Sequence, residues 1–103
     1  MKKFLVLYSG GKAPTSQQEA EASMKVWMAW FGKLGAAVVD AGNPLGESKT
    51  IGITGIHDGP GGNSSNGWGF IQADSLASAA ALTKDCPIIA EGGKVHVFDL
   101  IAM

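Results

Sequence analysis

The sequence predicts an α+β sandwich in which one antiparallel sheet carries two helices on a single face. Three observations lead there. Apolar or alternating runs of strand length occur at five places, and two segments of helical period separate them in the order β-α-β-β-β-α-β. No linker or repeat interrupts residues 1–103, and the length suits one domain with a single core.

Lys3 to Ser9 (KFLVLYS) is almost continuously apolar, so an extended backbone turns Phe4, Val6 and Tyr8 one way and Leu5 and Leu7 the other. After the GGKAPT turn, Ser16 and Glu19 have the S-x-x-E spacing of a capping box, in which the hydroxyl accepts from the Glu19 N–H and the carboxylate reaches back. A helix begins there and ends at Gly35. Met24, Trp27, Met28, Phe31 and Leu34 recur at three- and four-residue steps and form its apolar stripe, with Trp30 to one side. AAVVDAG (36–42) reads as a second strand closed by Asn43-Pro44. KTIGITGIHDG (49–59) reads as one weak strand loosened by Gly52 and Gly55. A Gly/Asn/Ser-rich loop follows, then the strand WGFIQAD. Asp74 or Ser75 caps a short helix with a narrow stripe of Leu76, Ala79, Ala80 and Leu82, and Pro87 is expected to stop it. Gly92-Gly93 turns the chain into the last strand, KVHVFDLI.

That order suits a ferredoxin-like sandwich. Two helices cover one face of the sheet, yet the first strand is apolar on both, and in the last strand His96, Phe98 and Leu100 oppose Val95, Val97 and Ile101. A second copy packed sheet against sheet would cover the remaining face symmetrically, so a homodimer is expected.

Composition excludes several classes. The net charge is −1 and no basic cluster appears, which removes the electrostatic footprint of a nucleic-acid binder. No apolar stretch approaches the length needed to span a bilayer, so no membrane partner is expected. The start MKKFLVLYSGGK imitates a signal peptide, but its apolar run is short and no small-residue cleavage pattern follows. Cys86 is the single cysteine, which points to a reducing, cytoplasmic setting.

Asp58-Gly59-Pro60, the glycine-rich loop after it, GWGFIQADSLASAAALTKDCP and the strand GGKVHVFDL together resemble the YCII-related family, in particular its DGPF-type members. Phe4–Tyr8 and LGAAVVDAGNPLG extend the likeness over most of the chain. The resemblance implies a ferredoxin-like fold that pairs into a dimeric α/β barrel, with a pocket between the sheet and neighbouring elements. Gly61 stands where the family usually has an aromatic residue after Asp-Gly-Pro. The family pairs a histidine of the first helix with an aspartate near the end of the second. Asp85 stands near the aspartate's place, while the histidine's place, counted back from Gly35, holds Met24 or an immediate neighbour, so that dyad lacks its histidine.

Two readings therefore compete for His57 and Asp58. In the first, His57 lines a cleft as a general base oriented by Asp40 or Asp99, with Asp58 as a second catalytic candidate. In the second, His57 is a satisfied core residue sharing parity with Ile51 and Ile53, and Asp58 shapes the turn. Tyr8, Met24, Trp30 and Trp68 are the candidates for lining a site for an apolar or aromatic small molecule. His96, mid-strand beside Phe98, reads as core or dimer interface. SGGKAPTS lacks the P-loop spacing, no Cys or carboxylate stands at ligand spacing from either histidine, and neither a metal nor a cofactor is expected. The resulting expectation is a small dimer binding an apolar or aromatic molecule, an enzyme if His57 acts as base; the alternatives are a non-catalytic binding or assembly module and, if Trp27, Trp30 and Met24 fill the cleft, a stand-alone structural domain.

Overall fold

The computed structural model describes residues 1–103. Its elements are β1 (Lys2–Ser9), α1 (Gln17–Leu34), β2 (Val38–Asp40), β3 (Lys49–Gly52), β4 (Gly55–Asp58), β5 (Ser65–Ala73), α2 (Leu76–Thr83), α3 (Pro87–Ala90) and β6 (Lys94–Asp99). Four strands form an antiparallel sheet in the order β2-β5-β1-β6, and β3 and β4 form a second sheet of their own. The chain passes from β1 through α1 to β2 with β5 between them, and from β5 through α2 to β6 with β1 between them. Two interlocked β-α-β units result, an α+β arrangement compatible with a ferredoxin-like fold.

Strand register fixes what each face carries. Phe4 lies opposite Ile71, Val6 opposite Gly69 and Val97, and Tyr8 opposite Gly67 and Val95. This face takes the helices. Phe4 and Val6 are fully buried, and Trp30 of α1, Ala79 of α2, Cys86 and Ile88 close over them in one core. Gly67 leaves room there, since a Cβ would stand a tight 3.2 Å from the Tyr8 ring. Gly42 is required more strictly: its φ is +71°, and a Cβ would fall 1.8 Å from the Trp68 carbonyl oxygen.

The Ser16 hydroxyl caps α1, accepting from the Glu19 N–H at 3.1 Å. The Glu19 carboxylate reaches one residue beyond the cap, accepting from the Thr15 N–H at 2.7 Å and from the Thr15 hydroxyl. Those bonds hold the Glu19 carboxyl below the usual carboxylate range. Gly35 ends the helix, its N–H donating to the Phe31 carbonyl.

Three sequence expectations need correction. The buried sector of α1 is Trp27, Trp30, Phe31 and Leu34, while Met24 and Met28 are about three-fifths exposed. The sector is rotated because Trp30 finds an acceptor for its indole N–H in Asp85 at 3.1 Å, which lets that ring go inside. Residues 49–59 are a hairpin, not one strand. It reverses at Ile53-Thr54, between the paired Gly52 and Gly55, the latter at φ +112°. Finally, Pro87 starts α3 instead of merely stopping α2, since a first helical position needs no N–H.

Candidate functional site

The space between sheet and α1 is filled with rings. Tyr8 meets Trp27 edge-on at 5.0 Å between centroids, Trp27 meets Trp30 edge-on at 5.9 Å, and Phe31 closes the group at 5.4 Å from Trp30. Burial, with the nearby Cys86 thiol adding to it, raises the Tyr8 phenol well above its ordinary pKa, so the hydroxyl stays protonated. The Cys86 thiol is likewise pushed up to about 11, chiefly by burial and then by the charges of Asp85 and Glu91.

Asp85 faces α1 at Trp30 and Lys33, not at Met24. Its carboxylate accepts from the Trp30 indole and pairs with the Lys33 ammonium. The Lys33 bond, then the Trp30 bond, hold the carboxyl below the usual range. Asp85 thus links the later turns of α1 to the end of α2 through Trp30 and Lys33.

His57 is exposed, and its ring shares a hydrogen bond with the Thr54 hydroxyl at 2.9 Å. The reversal at Ile53-Thr54 resets the strand parity, so that His57 lies opposite Thr50 while Ile51 and Ile56 pair on the other side of the hairpin. His57 therefore does not share the Ile51 face. Neither proposed orienter reaches it: Asp40 accepts from the Gly42 N–H, and Asp99 pairs with Lys2 at 3.1 Å. Asp58 pairs with Lys49 at 2.6 Å, almost fully exposed, on the rim of an open gap between residues 45–50 and 58–66 that Leu45 and Pro60 line beside glycines and polar residues.

The predicted ligand-binding residues fall in three places. Tyr8 and Trp30 are inside the helix-side core, Met24 is on the outside of α1, and Trp68 is on the opposite face of the sheet. On that opposite face, away from the helix-side core, further apolar side chains converge, half-buried except for Phe98. Phe70, Leu5 and Phe98 form one row across β5, β1 and β6, and Trp68, Leu7 and His96 form the next. Trp68 and Phe70 pack edge-on at 5.7 Å, the Lys3 ammonium lies 5.0 Å above the Phe70 ring, and Phe98 is 48% exposed.

A polar pair is set into this face. The Ser9 hydroxyl and the His96 Nε2 share a hydrogen bond of 3.0 Å, with Ser9 buried and His96 half-buried. Sequence reasoning overlooked Ser9, although its odd number places it with Leu5 and Leu7, and it took His96 as core or dimer interface, with no partner for its ring. No set of three or more His, Cys, Asp or Glu side chains is disposed to hold a metal, and no helix is long and apolar enough to cross a membrane. Compared with known proteins, the chain matches no family model, no curated protein and no solved structure.

Proposed function

We propose that the chain acts as a homodimer, packed sheet against sheet in the manner of YCII-like, DGPF-type barrels, that binds an apolar or aromatic small molecule in the cleft the two sheets enclose. The half-buried double row of Leu5, Phe70, Phe98, Leu7, Trp68 and His96, on the face away from the helices, carries this reading. Monomeric soluble proteins rarely leave such a patch contiguous, and sheets stacked about 10 Å apart interdigitate side chains of this size. Within the cleft the Ser9–His96 pair supplies the polar anchor, and Lys3 at the margin favours a ligand with an acceptor group. The reading is binding without acid–base turnover at His57, because that ring is exposed on a hairpin and bonded to Thr54. A cytoplasmic setting accompanies it.

Native mass spectrometry tests both halves. The expected mass is twice the 10.6 kDa chain, with any copurified ligand retained. His96→Ala should leave the dimer intact and weaken binding of an anionic aromatic dye such as anilinonaphthalene sulfonate by about tenfold, the worth of one charge-assisted or buried hydrogen bond. A monomer at micromolar concentration would overturn the dimer, and unchanged dye affinity would overturn the anchor.

A further inference from the structure

Two histidines of this chain bond to a hydroxyl, and their settings differ. Thr54 and His57 meet inside one exposed turn, three residues apart. Ser9 and His96 meet across two paired strands, Oγ to Nε2 at 3.0 Å, with the serine 7% exposed and the imidazole half-buried. A serine hydroxyl becomes a nucleophile when a base within about 2.6–3.2 Å can take its proton. The His96 ring meets the second requirement too. Its Nδ1 makes no hydrogen bond within the protein and is not sealed from solvent, so that nitrogen can carry the ring proton while Nε2 accepts from the serine.

The backbone around Ser9 is fixed. Against β5 the register shifts between Tyr8 and Ser9, an irregularity of the kind that re-aims a side chain, while against β6 Ser9 stays in step, opposite Lys94. Gly10 and Gly11, at φ +75° and +80°, turn the chain away directly after it. A Cβ on Gly93 would fall 2.6 Å from the Ser9 carbonyl oxygen, so the ends of β1 and β6 touch backbone to backbone. Both reacting side chains therefore stand on rigid strands, beside Leu7 and Trp68 of the same face.

We infer that Ser9 is an acyl-accepting nucleophile, activated by His96, toward esters with an apolar acyl or aromatic alcohol group. The inference rests on the reading of this face as a small-molecule site and gives that site a reaction; it does not need a second copy of the chain. The Ser9 hydroxyl passes its proton to His96 Nε2 as Oγ bonds to the acyl carbon. The bond from that carbon to the alcohol oxygen then breaks, and the imidazolium returns the proton to the departing alkoxide. Water, deprotonated by the same nitrogen, releases the acid and restores the serine. Lys94, in register with Ser9, brings a positive charge to the side of the sheet where the oxyanion forms.

The probe is p-nitrophenyl butyrate with the full chain. Nitrophenolate should appear in a burst, and peptide mapping after an acid quench should find the butyryl group on Ser9. Ser9→Ala should abolish the burst, His96→Gln should slow it by about a hundredfold, and Thr54→Ala should leave it unchanged. Circular dichroism checks that each variant folds; if Ser9→Ala does not, the mapped adduct of the unaltered chain and the His96→Gln rate decide. A butyryl group confined to lysines or Thr54, or a burst that survives Ser9→Ala, would overturn the inference, and dye binding that persists would then leave a binding site without turnover. A monomer that forms butyryl-Ser9 would uphold the chemistry and overturn the dimer.

Discussion

Cys86 shows how one side chain takes its chemistry from its position. The thiol sits between the helix-side core and the start of α3, 2% exposed, and burial raises its pKa from about 9 to about 11. The thiolate is the nucleophile, so folding removes its reactivity. Iodoacetamide at pH 8 should leave the folded protein unmodified and alkylate it fully in denaturant; rapid labelling of the native form, read by mass spectrometry, would contradict this burial. The sign for stability follows from the same shift. A proton held more tightly in the folded state contributes stability that is complete below the unfolded pKa and lost as pH rises from about 9 through about 11. Asp85 works in the opposite sense, its depressed pKa giving stability above the unfolded carboxylate range that is lost as pH falls through the folded value. Its pairing with Lys33 is open to solvent and contributes little.

Among the elements, α1 depends most on its own chemistry. Residues 11–22 are exposed throughout, so the first turns of the helix rest on the Ser16 and Glu19 bonds, whereas Trp27, Trp30, Phe31 and Leu34 hold the later turns to the sheet. Ser16→Ala should cost about 0.5–2 kcal/mol by leaving first-turn N–H groups without an acceptor. Because that end has no packing to preserve it, amide exchange at Glu19 and Ala20 should accelerate along with the loss in urea stability. Exchange and stability both unchanged would mean that the Thr15–Glu19 bonds suffice. The capping spacing was legible in the sequence because it is local. The buried sector of the same helix was not, because Met24, Met28 and Trp30 are all apolar, and the acceptor at Asp85, 55 residues away, decides which goes inside.

For the whole molecule the controlling feature is the sheet's second face. Both helices lie over Phe4, Val6 and Tyr8, while Leu5, Leu7, Trp68, Phe70 and Phe98 lie on the other face. Phe98→Glu is the direct probe. The residue is 48% exposed in one chain and lies on an edge strand, so the single chain should fold with little change in circular dichroism. In the proposed dimer, however, the substitution would place unpaired carboxylates in the interface, and light scattering should give a monomer where the unaltered chain gives a dimer. A dimer that survives Phe98→Glu would locate the interface elsewhere.

By itself the sequence determined the α+β class, the order of helices and strands outside residues 49–59 and 87–90, the cap at Ser16 and the two-sided apolarity of β1, because all of these depend on residue spacing along a short stretch of chain. It placed His57 wrongly for a reason of the same kind. Parity carries along a strand only until the chain reverses, and the reversal between Gly52 and Gly55 moved His57 from the isoleucine face to the side of Thr50. Tertiary structure alone decided that Trp30 and Asp85 meet, that Tyr8 and Trp27 fill the helix-side space, and that Ser9 and His96, 87 positions apart, share a hydrogen bond on the open face. Those contacts depend on the order β2-β5-β1-β6, which brings β6 beside β1, and on side-chain volumes competing for one interior; neither is encoded in any local run of residues.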